Sequence, residues 1–256
     1  MSRIISIVNQ KGGVGKTTTA VNLAAYLAKQ GKNVLLVDMD PQANATSGLG
    51  IDHQNLEHGI YEVISGQRSL RHVIVPTEHT GLKVAPATIS LAGAGVELVN
   101  ETEREFKLYQ ALLEAKGIYD YILIDCPPSL GLITINSLAA GDEVLIPVQA
   151  EYYALEGLGQ LLNTIALVKD NLKPSLNVLG AVLTMYDRRN KLSNEVMEEL
   201  YKHFPNKIFR SVIPRVVHLA EAPSYGKSIL HYKPLSKGAR AYDRLAKELI
   251  STEDFN

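Results

Sequence analysis

A glycine-rich segment near the N-terminus carries the residues best suited to chemistry. The segment consists of Lys11, Gly12, Gly13, Val14, Gly15, Lys16, Thr17 and Thr18. Its glycines let backbone N–H groups turn toward bound phosphates, and the helical pattern that follows adds the positive end of a helix dipole. The spacing predicts a Walker A loop for ATP, in a variant form because Gln10 stands where the usual pattern has its first glycine.

Four side chains are candidates for phosphate chemistry. Lys16 is expected to place its charge on the β- and γ-phosphates, and the Thr17 hydroxyl to ligate Mg²⁺ directly. Asp125 ends an apolar run, where its carboxylate can hold Mg²⁺ through water. Asp40 follows another run and could orient the attacking water, accept its proton or reach Mg²⁺ through water. A turn aspartate before a proline is the alternative for Asp40.

Apolar, β-branched runs alternate with helical patterns along the chain. Strands are predicted at Ile4–Val8, Asn33–Val37, Leu82–Ala85, Tyr121–Ile124, Glu143–Val148, Val178–Leu183 and Phe209–Ile213. Helices are predicted at Lys16–Gln30, Arg104–Lys116, Tyr153–Lys169, Asn194–His203 and Gly238–Ile250, with short helices and loops between Gln42 and Gly81. This alternation predicts an α/β fold, a doubly wound and mostly parallel sheet with helices on both faces, in one domain over residues 1–256.

Composition excludes several classes of protein. One cysteine, Cys126, excludes an internal disulfide framework and an iron–sulfur site built from several cysteines of one chain. No apolar run is long enough for a membrane span or a signal peptide, so a cytoplasmic protein is expected. The formal net charge is −1, so any contact with DNA must use a local basic patch.

The combined motifs resemble those of the MinD/ParA ATPases, P-loop proteins with a deviant Walker A loop. Lys11 matches their additional signature lysine. Leu35–Gln42 resembles their switch I motif, and Tyr121–Ser129 resembles their Walker B and switch II motifs. Ile213–Arg215 and Ala222–Gly226 resemble segments of the ParA/Soj branch near the adenine pocket and the C-terminal helices.

This resemblance implies a mechanism and partners. Two ATP-bound copies are expected to form a homodimer in which Lys11 reaches the phosphates of the partner and Gly12 lies where the two backbones meet. The dimer is expected to bind double-stranded DNA without sequence preference and to associate with the nucleoid. A ParB-type centromere-binding protein is expected to stimulate hydrolysis and release the DNA, and a replication initiator is a further candidate partner. By resemblance alone, Met185, Pro214 and Arg215 are expected near the adenine.

The DNA-binding residues are the least determined part of this interpretation. Arg188, Arg189 and Lys191 form the densest basic cluster, and further cations follow in the C-terminal part. From the residues alone, a solvated charged surface and a patch for phosphates both stay open. The family resemblance favours DNA, with Arg189 as the first choice and Arg188, Lys191, Lys227 and Arg240 as further choices.

Two alternatives come from other functional classes. A MinD-like regulator would associate with membranes through a basic amphipathic C-terminal helix, whereas this chain ends with an acidic tip at Glu253 and Asp254. An anionic membrane would repel that tip, so no membrane partner is expected. A metabolic P-loop enzyme that phosphorylates or amidates a small molecule would need a second substrate pocket, which no segment visibly supplies.

Overall fold

The computed structural model describes residues 2–151, 156–204 and 207–255. Its strands are β1 (Arg3–Ile7), β2 (Val34–Asp38), β3 (Val75–Pro76), β4 (Leu82–Ala85), β5 (Tyr121–Asp125), β6 (Glu143–Gln149) and β7 (Asn177–Thr184). Its α-helices are α1 (Lys16–Lys29), α2 (Asn44–Gly48), α3 (Ile60–Ile64), α4 (Leu91–Glu97), α5 (Lys107–Leu112), α6 (Leu132–Ala140), α7 (Glu156–Asn171), α8 (Lys191–His203), α9 (Val217–Glu221), α10 (Ile229–Tyr232) and α11 (Lys237–Ser251).

The described strands form one sheet in the order β3-β4-β2-β5-β1-β6-β7. All neighbouring strands are parallel except β3 and β4, which are antiparallel. Asp125 at the end of β5 is in register with Ile7 of β1 and with Asp38 of β2. Because parallel strands end at the same edge, the loops that follow β1, β2 and β5 meet there, as ligand-binding loops do in doubly wound folds.

Both faces of the sheet are covered by helices. Ile4 and Ile5 are fully buried neighbours on β1, yet they belong to opposite apolar cores. The core that contains Ile5 includes residues of α1 and α11, and the core that contains Ile4 includes residues of α4 to α7. Continuous apolar strands are the expected consequence of burial on both faces. The predicted doubly wound, mostly parallel fold is therefore confirmed.

One predicted strand is wrong. Phe209–Ile213 runs beside β7 but does not form a strand. It makes only isolated backbone hydrogen bonds to β7, from Phe209 N–H to the Ala181 carbonyl and from Ile213 N–H to the Leu183 carbonyl. The N–H groups of Arg210 and Ser211 instead donate to the carboxylate of Glu248 on α11. A side chain of the C-terminal helix thus takes the donors that a regular strand would need.

Several predicted helices have different boundaries. The predicted helix at Arg104–Lys116 is a 3₁₀ turn followed by the shorter α5, and the predicted helix from Tyr153 is described from α7 onward, Tyr153 itself lying outside the described residues. Helix α6 was not predicted, because Ile133, Thr134 and Ile135 are β-branched residues with low helix propensity. Short helices do occur between Gln42 and Gly81, as predicted. No helix in the described ranges is long and apolar enough to cross a bilayer.

Candidate functional site

The loop between β1 and α1 has the backbone geometry of a phosphate cradle. Gly13 and Gly15 have φ of 74° and 90°, in the left-handed region that favours glycine. The Thr184 hydroxyl at the end of β7 donates to the Val14 carbonyl at 2.7 Å and fixes the loop to the sheet. Val14 is therefore a buried anchor, while Gly12 and Gly13 are exposed.

Helix α1 begins at Lys16 with its first N–H groups available to a ligand. Its N-cap is Gly15, which has no side chain to cap the first turn. The Lys16 ammonium donates to the carbonyl of Lys11 at 3.1 Å and lies folded over the loop. Burial lowers the pKa of Lys16, and the negative charge of Asp125 opposes that change. A cation and a helix N-terminus therefore face the same space, an arrangement that suits an anionic phosphate.

The Asp125 carboxylate is fully buried beside this loop. Neither of its oxygens makes a well-formed hydrogen bond with any residue that the structure describes. Burial, reinforced by Asp38, raises the pKa of Asp125 well above the ordinary value, and Thr17 and Lys16 act in the opposite direction. A buried, unsatisfied carboxylate is costly unless a cation or a donor reaches it. Together with the Thr17 hydroxyl, it makes an oxygen donor set that suits Mg²⁺.

Asp38 and Asp40 differ in their surroundings. Asp38 is fully buried and accepts hydrogen bonds from Thr46 and from the backbone N–H of Asp40. Burial raises the pKa of Asp38 to about 6. Asp40 accepts one hydrogen bond from Gln42 N–H at 2.9 Å and lines a cavity. Asp38 is therefore bonded within the protein interior, whereas Asp40 faces the cavity.

Lys11 lies at the front of the loop, partly exposed. Its ammonium is 3.8 Å from the carboxylate of Glu151, which also accepts a hydrogen bond from Gln149 at 2.7 Å. Its backbone N–H donates to the Asn9 side chain, so the backbone at Lys11 is held while the side chain points to the protein surface. The ammonium of Lys11 is thus paired with Glu151 of its own chain, in a contact that is exposed and therefore weak.

A cavity of about 590 Å³ joins the loop to distant parts of the chain. Its lining includes eight of the predicted nucleotide and catalytic residues, namely Gly12, Gly13, Gly15, Lys16, Thr17, Thr18, Asp40 and Met185. Three further contributors, Asn22, Asn44 and Ser47, lie outside every motif that the sequence singled out. Gln42, Pro128 and Ser224 lie within the switch I, switch II and Ala222–Gly226 motifs, but were not named as individual site residues. Lys11, Val14 and Asp125 do not line the cavity themselves.

The far wall of this cavity depends on a close backbone contact. A Cβ atom added to Gly226 would lie 2.8 Å from the Cα atom of Gly50, which follows α2. This approach presses the Ala222–Tyr225 turn against α2 and so brings Ser224 to the cavity. Gly226, at the end of the Ala222–Gly226 motif, was the available sequence signal for this close contact. Its partner Gly50 lies 176 residues earlier in the chain.

A second cavity, of about 740 Å³, is strongly basic. Its lining contains six exposed cations, which are Arg188, Arg189, Arg215, Lys237, Arg240 and Arg244. Asp187 is the one acidic residue among them and pairs with Arg189 at 2.9 Å, which lowers the pKa of Asp187 to about 2. The predicted DNA-binding residues Arg188, Arg189 and Arg240 are thus brought together, and Arg215, Lys237 and Arg244 join them.

Some predicted site residues lie elsewhere. Lys227 lines the cavity of the phosphate loop, apart from the grouped arginines, because the close approach of Gly226 to Gly50 places it there. Its contact with DNA stays a prediction. Lys191 begins α8 and pairs with Glu195 at 3.5 Å, outside both cavity linings. Pro214 and Arg215 line the basic cavity rather than the first one, and their contact with the adenine stays a prediction.

Comparison with known proteins gives matches over most or all of the chain. A family model described as an AAA domain matches residues 2–178. The chain is 56% identical over 251 residues to the sporulation initiation inhibitor protein Soj of Bacillus subtilis (strain 168), covering 98% of this chain and 99% of that protein. It is 48% identical over 253 residues to the chromosome-partitioning ATPase Soj of Treponema pallidum (strain Nichols), covering 99% of each.

Among solved structures, the chain is similar to cobyrinic acid a,c-diamide synthase from Mycobacterium smegmatis with bound ADP and magnesium. The TM-score is 0.88 at 38% sequence identity, and the match covers 99% of this chain and 96% of that one. The same sheet and helix arrangement therefore occurs in a protein whose structure holds a magnesium-bound nucleotide.

Proposed function

The chain belongs to the ParA/Soj family of chromosome-partitioning ATPases, and from that premise we propose that it acts as an ATP-switched DNA-segregation ATPase. One observation carries the proposal. Six residues of the Lys11–Thr18 loop line one cavity together with Asp40. The buried carboxylate of Asp125, which has no well-formed hydrogen bond among the described residues, lies next to Lys16 and Thr17. ATP is the substrate and Mg²⁺ the metal of this reaction.

The phosphates of ATP bind the loop and the N-terminus of α1. Backbone N–H groups from Gly12 to Thr18 surround them, and Lys16 neutralises charge on the β- and γ-phosphates. The adenine lies toward Met185, and Pro214 and Arg215 are its further proposed contacts. The cavity of about 590 Å³ has room for a ligand of this size.

Thr17 would hold the magnesium ion directly, and Asp125 and Asp40 would hold it through water. The buried carboxylate of Asp125, which has no well-formed hydrogen bond within the described residues, fits that role. When bound, the ion neutralises charge on the phosphate oxygens. Asp40 orients the attacking water or accepts its proton, since it lines the cavity and its carboxylate is held by Gln42.

Lys11 completes the site in trans. In the proposed homodimer, its ammonium leaves Glu151 and reaches the phosphates of the partner, as an arginine finger does. Gly12 is exposed, and a Cβ atom added to it would lie 3.9 Å from the Pro128 Cβ, an ordinary contact distance. A Cβ atom at Gly12 therefore fits within one copy, and we expect the main defect of a side chain there to arise between two copies.

The basic cavity is the proposed surface for DNA. Six cations around one concavity can neutralise phosphates without reading base edges, so binding is independent of sequence and weakens with salt. The dimer carries two such surfaces on one molecule, which makes DNA binding depend on ATP through effective concentration. The ATP-bound form is then nucleoid-associated within the cytoplasm, and release follows hydrolysis to ADP and phosphate.

The regulatory partners follow from family membership alone. A ParB-type centromere-binding protein stimulates hydrolysis, and a replication initiator is a further proposed partner. The single domain over residues 1–256 holds the nucleotide site and the DNA surface together. Turnover without the partner is slow, because a switch must persist between signals.

DNA retention with ATP, with ADP and without nucleotide, repeated over a salt series, tests this proposal. We expect dimers and strong DNA retention with ATP, and neither with ADP or without nucleotide. The affinity for DNA should fall steeply as the salt concentration rises. Gly12→Val is the matched control, expected to bind ATP yet stay monomeric by light scattering and release DNA. Monomers at saturating ATP and Mg²⁺, with a DNA affinity that ignores nucleotide, would contradict the proposal.

A membrane-associated role of the MinD type has less support. The apolar residues of α11, including Tyr242, Leu245 and Leu249, are buried, and the helix packs on α1. That face cannot insert into a bilayer while the domain is folded. Co-sedimentation with anionic liposomes in the presence of ATP would reverse this conclusion.

An amidating enzyme is the second candidate function, favoured by one observation. The similar M. smegmatis structure carries the name of a diamide synthase. Such an enzyme turns over ATP only when its acid substrate and an amine donor are present. ATP hydrolysis that rises strongly with cobyrinic acid and glutamine, and not with DNA and a ParB-type protein, would favour it over DNA segregation.

A further inference from the structure

Thr46 of α2 is a buried residue at the centre of a hydrogen-bond chain. Its hydroxyl and its backbone N–H donate to the same oxygen of Asp38, at 2.7 and 2.8 Å. The hydroxyl oxygen in turn accepts the backbone N–H of Ala87 at 3.0 Å. Thr46 and Asp38 are both fully buried, so water cannot replace these bonds.

The chain continues to the proposed catalytic carboxylate. The other oxygen of Asp38 accepts the backbone N–H of Asp40 at 3.1 Å. The Asp38 carboxylate therefore connects α2 to the Asp40 backbone. Of the three hydrogen bonds that it accepts here, Thr46 donates two. The Asp40 side chain is held only by Gln42 N–H among the hydrogen bonds found in the described residues. The Asp38 carboxylate is thus one of the groups that hold the Asp40 backbone, together with the Ala43 N–H, which donates to the Asp40 carbonyl at 2.9 Å.

We propose that Thr46 is a positioning residue for ATP hydrolysis, holding Asp40 in place through Asp38. This inference rests on the proposed function, in which Asp40 acts on the attacking water. A threonine suits the task because its hydroxyl donates and accepts at once, while its branched Cβ restricts χ1. Without the hydroxyl, Asp38 loses its shortest hydrogen bond and shifts toward its remaining donors, and Asp40 moves with it.

Two substitutions separate the hydroxyl from the shape of the side chain. Thr46→Val keeps the branched shape and removes the hydroxyl, whereas Thr46→Ser keeps the hydroxyl. We expect Thr46→Val to lower the single-turnover rate of ATP hydrolysis about ten- to a hundredfold, since small misplacements of catalytic groups have such effects. Thr46→Ser should retain most of the rate, and both variants should bind a fluorescent ATP analogue as the unchanged protein does.

A double substitution distinguishes positioning from general destabilisation. Once Asp40→Asn has removed the carboxylate, Thr46→Val should slow hydrolysis no further, because both changes act on one group. An additive effect, an unchanged rate in Thr46→Val, or parallel losses of ATP affinity and melting temperature would overturn the role of Thr46. If Asp40→Asn alone hydrolyses ATP at the original rate, the assignment of Asp40 itself fails, and the role of Thr46 with it.

Discussion

At the scale of single residues, Lys11 is held by a contact that the proposed dimerisation would break. Its ammonium is 3.8 Å from Glu151, and both side chains are partly exposed. Exposed ion pairs contribute little, about 0.2–1 kcal/mol, so the contact restrains Lys11 without trapping it. In the proposed dimer, Lys11 leaves Glu151, so the loss of this ion pair makes association less favourable.

Glu151→Gln should therefore favour the ATP-bound dimer. Removal of the charge frees Lys11 in both copies of the proposed dimer. We expect the protein concentration for half-dimerisation to fall by up to about thirtyfold, the equivalent of about 2 kcal/mol for the two pairs. Analytical ultracentrifugation at saturating ATP measures this midpoint. Glu195→Gln is the control, because it breaks the exposed pair with Lys191 and should leave the midpoint unchanged. A weaker dimer in Glu151→Gln would show that Glu151 supports association.

At the scale of elements, α10 is a helix of four residues held by contacts from two other segments. The Asn22 side chain of α1 accepts the Ile229 N–H at 2.7 Å. The His231 ring stacks on His79, in the turn before β4, with centroids 3.8 Å apart. The Glu78 carboxylate lies 3.8 Å from Nδ1 of His231. These contacts connect α10, and the Ala222–Tyr225 turn before it, to the sheet.

Acid pH should weaken this arrangement. Burial, together with the neighbouring His231, lowers the pKa of His79 from 6.5 to about 4. The unfolded chain therefore binds a proton more readily, and the stabilising contribution of neutral His79 is complete above about pH 6.5 and lost as pH falls toward 4. Within that window we expect the free energy of unfolding to fall by about 1.4 kcal/mol per pH unit from this group.

Urea unfolding at pH 7, 6 and 5 measures this dependence. His79→Gln keeps a polar side chain of similar length and cannot take up a proton, so the fall should be shallower in the variant. His53→Gln is the control, since His53 is only half-buried, in a turn whose neighbouring residues are exposed. Equal slopes for His79→Gln and the unchanged protein would contradict the role of His79.

At the scale of the whole molecule, exposed cations line two separate cavities, for which two different functions are proposed. Lys227 lies at the cavity of the phosphate loop, whereas Arg240 lies among the six cations of the basic cavity. Both are exposed, and both were grouped as DNA-binding residues in the sequence interpretation. Their separation predicts different defects for the same change of charge.

Arg240→Glu should weaken DNA retention and leave ATP affinity unchanged. The DNA affinity of this variant should depend less steeply on salt, because phosphate contacts are lost. Lys227→Glu should weaken ATP binding instead, because it introduces a negative charge beside the phosphate site. ATP-analogue titration and DNA filter binding of the two variants measure both properties. The opposite pattern would mean that the cavities are wrongly assigned.

The sequence by itself determined the fold class and the phosphate loop. Both depend on neighbours along the chain, since periodic apolar runs define strands and helices, and the Lys11–Thr18 loop contains its own glycines and cations. The tertiary structure alone decided that Asp38 holds α2, that Lys227 faces the nucleotide cavity and that Phe209–Ile213 is not a strand. Those outcomes rest on Thr46, Gly50 and Glu248, whose partners are fixed by folding and carry no local signal.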